Sequence, residues 1–223
     1  EASSIVQQAL LSVLVLITQY HFVDPRTGPS NSNIGAGIGV FNMVRANAYR
    51  LRGTHARIRH AISDDRALGQ MMRDDGGRST VMRAFSLLRF RPFANFGRLY
   101  AGAKKELFAT TSHRVWRAGA LGAALILTAL LPVWALVKDA VFPSPSSLVC
   151  ALIALAAWIA GIAAMGVART PVRTAAVVPA LFPAAACVAG VAVLHAAWDF
   201  VRSGRIQWRG RAYRRDDLKP IER

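Results

Sequence analysis

The stretch Ala118-Gly-Ala-Leu-Gly-Ala-Ala-Leu-Ile-Leu-Thr-Ala-Leu-Leu-Pro-Val-Trp-Ala-Leu-Val137 contains no charged residue, and Thr128 is its one plainly polar side chain. At a rise of 1.5 Å per residue, about 20 apolar residues cross a hydrocarbon core of roughly 30 Å. The segment therefore reads as a transmembrane helix. Downstream, residues 148–168 are also uncharged and rich in Ala, Leu and Ile, while residues 174–198 carry only His195 as a titratable group. Three membrane helices (118–137, 148–168 and 174–198) are the plain reading. Pro179 and Pro183 fall near the start of the third, which predicts a bent or re-entrant segment whose freed backbone groups need protein or water.

The whole chain is 53% hydrophobic and 18% charged across 223 residues, yet its formal net charge is +16. The two properties are segregated along the chain. Arg89, Arg91, Arg98, Lys104, Lys105, Arg114 and Arg117 precede the first span, and Arg169 and Arg173 join the second to the third. Residues 201–223 form a basic tail with eight Lys or Arg against Asp216, Asp217 and Glu222. Juxtamembrane Lys and Arg mark the cytoplasmic face and draw anionic lipids. A cytoplasmic tail is therefore expected, although three full crossings would place it outside. A pI near 11.5 also suits nucleic acid, but no reading module accompanies the charge, so no nucleic-acid partner is expected. Cys150 and Cys187 both fall in predicted spans and read as small buried side chains, without a disulfide framework.

Residues 2–22 have the apolar spacing of a helix, interrupted by Gln7, Gln8, Ser12 and Gln19. Their apolar core is short for a span, which favours an amphipathic helix in the membrane interface; a packed helix of a soluble domain is the alternative. Asp24-Pro25 ends it. Gly35, Gly37 and Gly39 then alternate, so on a strand they share a face that a substrate or another backbone can approach. A flexible turn is the simpler account. Val40 to Val44 has the content of a short strand, and Ala46 to Leu51 reads as a helical turn. Ser63 is placed as the N-cap of a helix running from Arg66 to Arg73, with Asp64 and Asp65 where the helix dipole favours negative charge. Phe96 to Thr110 predicts an amphipathic helix with Leu99, Ala103, Leu107 and Phe108 inward and Lys104 and Lys105 outward. Arg114, Trp116 and Arg117 follow as an interfacial anchor.

The order Gly39, Phe41, Arg45, Ala48-Tyr49, Gly53-Thr54-His55 and Asp64-Asp65 resembles the acceptor half of the membrane-bound family 2 glycosyltransferases. The type is nonprocessive and lipid-glycosylating, similar to hopanoid-associated and ceramide glucosyltransferases. Leu99 to Phe108 resembles the segment that leads such enzymes into their C-terminal spans, and Ile206 to Tyr213 resembles their tail motif. Thr54 departs from the family's second glycine. His113-Arg-Val-Trp116 has the wrong spacing for the Gln/Arg-x-x-Arg-Trp motif of processive synthases, which argues against a chain-elongating enzyme.

The resemblance implies a mainly α chain: the C-terminal part of a GT-A-like α/β domain over residues 1–117, membrane helices over 118–200, and the basic tail. It implies Asp65 as general base with Asp64 in support, and Gly37, Gly39, Phe41, Arg45, His55, Trp208 and Arg209 as substrate-binding residues. A divalent metal, Mg or Mn, is expected on the donor diphosphate. The family holds that metal with an Asp-x-Asp motif, which does not occur among these residues. The chain, opening at Glu1 within a helical pattern, accordingly reads as the C-terminal part of the enzyme, inactive alone, with the donor-binding half elsewhere. The implied partners are a nucleotide-sugar donor, a lipid acceptor and anionic lipids. The implied location is a bacterial-type inner membrane with the catalytic part cytoplasmic. The competing readings are a noncatalytic membrane anchor or assembly subunit and a small transporter. The transporter is weakest because charged residues inside the spans are missing.

Overall fold

The computed structural model describes residues 5–19, 37, 39, 41–59, 61–74, 77, 93–142, 148–149, 151–152, 155–156, 159, 177–208 and 210–214. Within them the chain is mainly helical. Helix α1 covers Ile5–Gln19, α2 Ala46–Leu51, α3 Thr54–Arg57, α4 Asp64–Asp74, α5 Phe96–Thr110, α6 Val115–Val141 and α7 Val177–Ser203. A single hairpin follows, β1 Arg205–Trp208 and β2 Arg211–Arg214. Most of the predicted second span, together with Gly35, Val40, Arg209 and residues 215–223, lies outside the described residues.

The core is built by α1, α5, α6 and α7. On α5 the inward face is the one its spacing predicts: Leu99, Ala103 and Leu107 are 0% exposed and Phe108 1%, positions that recur every three to four residues. Asn95 caps this helix, its side chain accepting the N–H of Arg98 at 2.9 Å. Gly102 lies under the Phe93 ring, and a Cβ there would come within 2.6 Å of the ring edge. Helix α1 turns Ala9, Leu10, Val13 and Leu14 into the same core. The side of α1 that carries these residues packs on protein, while Val6 on the same helix is exposed.

Helices α6 and α7 pack through small residues. A Cβ on Gly122 would stand 2.6 Å from Leu194, and one on Gly190 2.7 Å from Ile126 and 2.9 Å from the Gly122 carbonyl. Close backbone approach of this kind is how apolar helices associate where no hydrophobic driving force separates them. The Phe108 ring, at the end of α5, meets both Phe200 (5.4 Å) and His113 (5.5 Å). The start of α6 therefore lies beside the end of α7, and with the mid-helix glycine contact the pair runs antiparallel. Val115–Ala135 and Leu181–Ser203 are long and apolar enough to cross a membrane.

The described part of the third segment is one continuous helix, α7 from Val177 to Ser203, rather than a re-entrant one, with Pro183 inside it. Pro179 falls in the first turn, where no intrahelical N–H is required, and Pro183 removes a single bond. Helix α7 stops at Gly204, whose φ of 63° is a left-handed cap; its N–H bonds the Phe200 carbonyl at 2.9 Å. The hairpin pairs Arg205 with Arg214, Ile206 with Tyr213, Gln207 with Ala212 and Trp208 with Arg211. Its two-residue connection includes Gly210 at φ 78°, as a right-twisted two-residue turn requires.

The strand expected at Val40 to Val44 does not form. Phe41–Arg45 has no regular secondary structure. Phe41, Met43 and Val44 are exposed, and no described segment pairs with this one. Without a neighbouring ladder, apolar content alone does not hold a strand.

Candidate functional site

Asp65 sits in the first turn of α4, as anticipated, but the helix begins two residues earlier than expected, at Asp64. Ser63 supplies the backbone cap, its carbonyl accepting the Ala67 N–H at 3.0 Å. Its hydroxyl does not cap: Ser63 Oγ is buried and has no partner among the described residues. The Asp65 carboxylate instead accepts the N–H of Arg66 at 2.8 Å.

Two of the three alternating glycines lie directly over this acid. A Cβ on Gly37 would fall 1.6 Å from the Asp65 carbonyl oxygen, and one on Gly39 2.9 Å from Asp65 Oδ2. No other residue fits at Gly37 without moving the backbone. Burial pushes the Asp65 carboxyl above the usual carboxylate range; the Arg66 N–H and Lys105 oppose that shift, and Glu106 and the exposed Asp64 add to it.

Helix α5 delivers a second set of charges to the same place. Glu106 bonds Arg66 at 3.4 Å and Lys105 at 2.7 Å. The Arg66 and Lys105 side chains are only 12% and 11% exposed. The hairpin closes over them, with Lys105 Nζ 4.7 Å from the centre of the Trp208 ring. Ile206 and Trp208 share one strand face, and Ile206 packs on the hydrophobic core.

His113 completes the surroundings. It follows α5 in a left-handed turn, with φ 53° at Ser112 and 56° at His113. Its Nε2 is buried without a partner among the described residues. Burial, with Arg66 nearby, lowers its pKa to about 4, so the ring is neutral at physiological pH.

The predicted residues divide in two. Asp65, Gly37, Gly39 and Trp208 belong to one cluster. Asp64 is at its edge, pointing to solvent. Phe41, Arg45 and His55 are exposed, and no described contact joins them to Asp65. His55 belongs to a local turn in which Tyr49 Oη bonds His55 Nδ1 and accepts the His55 backbone N–H at 2.9 Å.

Glu106, Lys105, Arg66 and His113 were not anticipated. Lys104 and Lys105 were placed outward, yet Lys104 pairs with Asp199 at 2.5 Å and Lys105 with Glu106. One signal was available: Glu106 is the single acid between residues 76 and 138, and a lone acid in so basic a region has cations to meet.

Among the described residues no group of three His, Cys, Asp or Glu side chains could hold a metal ion. Asp65 already accepts a backbone N–H, and Glu106 is held between two cations. These residues are not suited to hold a divalent metal, whose ligands the resemblance implies lie outside this chain. The chemistry this cluster can perform is proton acceptance by a half-buried carboxylate, with two partly buried cations close by. No protein-family model, no curated protein and no solved structure matches the chain.

Proposed function

We propose that the chain is the acceptor-side part of a membrane glycosyltransferase, transferring a sugar with inversion from a nucleotide-sugar donor to a lipid hydroxyl. The observation that carries this reading is the pairing of Gly37 and Gly39 with Asp65. A carboxylate with a raised proton affinity, overlaid by residues without side chains, is suited to take a proton from a hydroxyl as that hydroxyl attacks the anomeric carbon. Arg66 and Lys105 supply positive charge beside it, which favours a departing anion.

The position of the cluster supports a lipid acceptor. It adjoins the end of the α6–α7 pair where Trp116 and Trp198 are exposed. Trp134 lies 18 residues beyond Trp116, roughly 27 Å along the helix, with Lys138 over its ring at 5.7 Å. Leu127, Leu130, Leu131 and Val133 are exposed between these tryptophans. Aromatic rings at both ends of an apolar surface mark the two headgroup levels of a bilayer.

Asp65→Asn is nearly isosteric and removes only proton acceptance. In the full-length protein, supplied with donor and lipid, it should abolish turnover without loss of membrane insertion or thermal stability, since burial already disfavours the charged carboxylate. Turnover within a few-fold of wild type would reject the base. A second reading has its own observation: the Arg66–Glu106 contact also braces α4 against α5, as a noncatalytic assembly subunit would need. That reading predicts the reverse pattern, with stability lost in Glu106→Gln and no turnover to lose.

A further inference from the structure

The tail hairpin reaches the Asp65 cluster through Trp208. Trp208 lies over Lys105 at 4.7 Å, Lys105 is bonded to Glu106 at 2.7 Å, and Glu106 is bonded to Arg66, the residue next to Asp65, at 3.4 Å. The hairpin itself is fixed at its root. Gly204 turns the chain out of α7, and Ser203 Oγ accepts the Arg205 N–H at 3.2 Å and donates to the Asp199 carbonyl at 2.6 Å. Asp199 in turn holds Lys104 at 2.5 Å. Consecutive lysines of α5 are thus engaged by α7 and by the strand that follows it. An ammonium on a flexible four-carbon stem otherwise seeks water. An aromatic face over it, with a carboxylate at its side, keeps it down.

We propose that the C-terminal hairpin is a positioning element for the acid at the start of α4, Trp208 pinning Lys105 so that its charge bears on Asp65. This rests on the reading of Asp65 as the proton acceptor, but its mechanism is independent of turnover. Trp208 then serves the site through Lys105 rather than by touching substrate. Among the described residues the charged groups that bear on Asp65 are Asp64 from its own helix and Lys105 and Glu106 from α5; Arg66 acts on it through its backbone N–H, and neutral His113 lies beside Arg66. Gly37 and Gly39 bring no charge. Of these groups, Lys105 is the cation that a movement of the hairpin would release.

The direction of each change follows from the signs. Lys105 favours the carboxylate and Glu106 opposes it. Lys105→Gln should therefore move the Asp65 titration to higher pH, and Glu106→Gln should move it to lower pH. Trp208→Ala, which frees Lys105 toward water, should move it upward by less than Lys105→Gln. Trp208→Phe keeps a ring face and should restore most of the difference.

The test is a carboxyl carbon-13 titration of Asp65 in the full-length protein, its resonance identified by its loss in Asp65→Asn. The decisive comparison is the double variant Trp208→Ala/Lys105→Gln, which should titrate with Lys105→Gln alone, because two residues on one path are not additive. Additive shifts, or no shift in Trp208→Ala, would overturn the proposal. If Trp208→Ala does not fold, Lys105→Gln and Trp208→Phe still decide it: no upward shift in the first, or an equal shift in both, overturns it. Turnover of Asp65→Asn is measured separately. Retained turnover there removes the general base and leaves the titration result standing.

Discussion

At the scale of single residues, Thr54, Ser112 and His113 are the non-glycine residues in left-handed backbone among those described. Thr54 has φ 58°, the left-handed region, where a β-branched side chain is a genuine outlier. The left-handed form costs an L-residue roughly 1–2 kcal/mol, offset in part by the greater freedom of glycine in the unfolded chain. Thr54→Gly should therefore stabilise the protein by roughly 1 kcal/mol, raising Tm by about 2–4 °C for a chain of this size. An unchanged or lower Tm in a thermal melt would show that the turn is not strained. His113 combines left-handed backbone with burial. Its pKa, lowered from 6.5 to about 4, means that the unfolded chain takes up a proton the folded chain refuses. Stability is then full above the unfolded value and falls as pH drops from about 6.5 toward 4. His113→Asn keeps a residue suited to φ above zero and does not titrate. The melting temperature of this variant should depend less on pH over that window than wild type does. Parallel curves would remove His113 as the acid-sensitive group.

At the scale of elements, the contact between α6 and α7 is set by Gly122 and Gly190. Gly190→Ala places a methyl 2.9 Å from a backbone carbonyl and 2.7 Å from Ile126, so the helices must separate. Overpacking of this kind costs about 1–3 kcal/mol. Gly119, in α6 with Gly122, has nothing within 4 Å of an added Cβ, and Gly119→Ala should be neutral or stabilising because alanine is the better helix former. Thermal unfolding of the two variants in one detergent makes the comparison internal. Equal melting temperatures would show that the glycine contact does not hold the pair. Helix α5 shows how one element serves two ends: its apolar face builds the core, while Lys104, Lys105 and Glu106 on its flank reach α7, the hairpin and α4.

At the scale of the whole molecule, the antiparallel arrangement of α6 and α7 decides where the tail goes. Three full crossings in series would put residues 201–223 across the membrane from Asp65. The start of α6 and the end of α7 instead lie together, and Trp208 rests on Lys105. If α6 and α7 both cross a membrane, the hairpin and the Asp65 segment share one side, and the basic charge of the tail predicts that this is the cytoplasmic one. A cytoplasm-dependent fluorescent reporter fused after Arg223 should light up, and an alkaline phosphatase fused there should be inactive. The opposite result would separate Trp208 from Asp65 and remove the hairpin from the site.

Local chemistry was enough to read residues 118–137 as a helix apolar enough to cross a membrane and Leu99, Ala103, Leu107 and Phe108 as one buried stripe, because each depends only on residue type and a 3.6-residue period. The same locality allowed Asp64 and Asp65 to be placed at a helix start. It misjudged the strand expected at Val40 to Val44, since a strand is made by its partner, and the re-entrant form expected of the third segment, since a packed helix tolerates the loss of one bond at Pro183. The neighbours of Asp65 could not be read at all. Gly37 is 28 residues before it in sequence, Glu106 41 after and Trp208 143 after, and no periodicity links such positions. Charge on a helix flank looks the same in sequence whether it meets water or a facing cation. Which one it meets was decided by the packing of α5 on α7, by the Arg66–Glu106 contact with α4, and by the glycine that turns the chain at residue 204 back over Lys105.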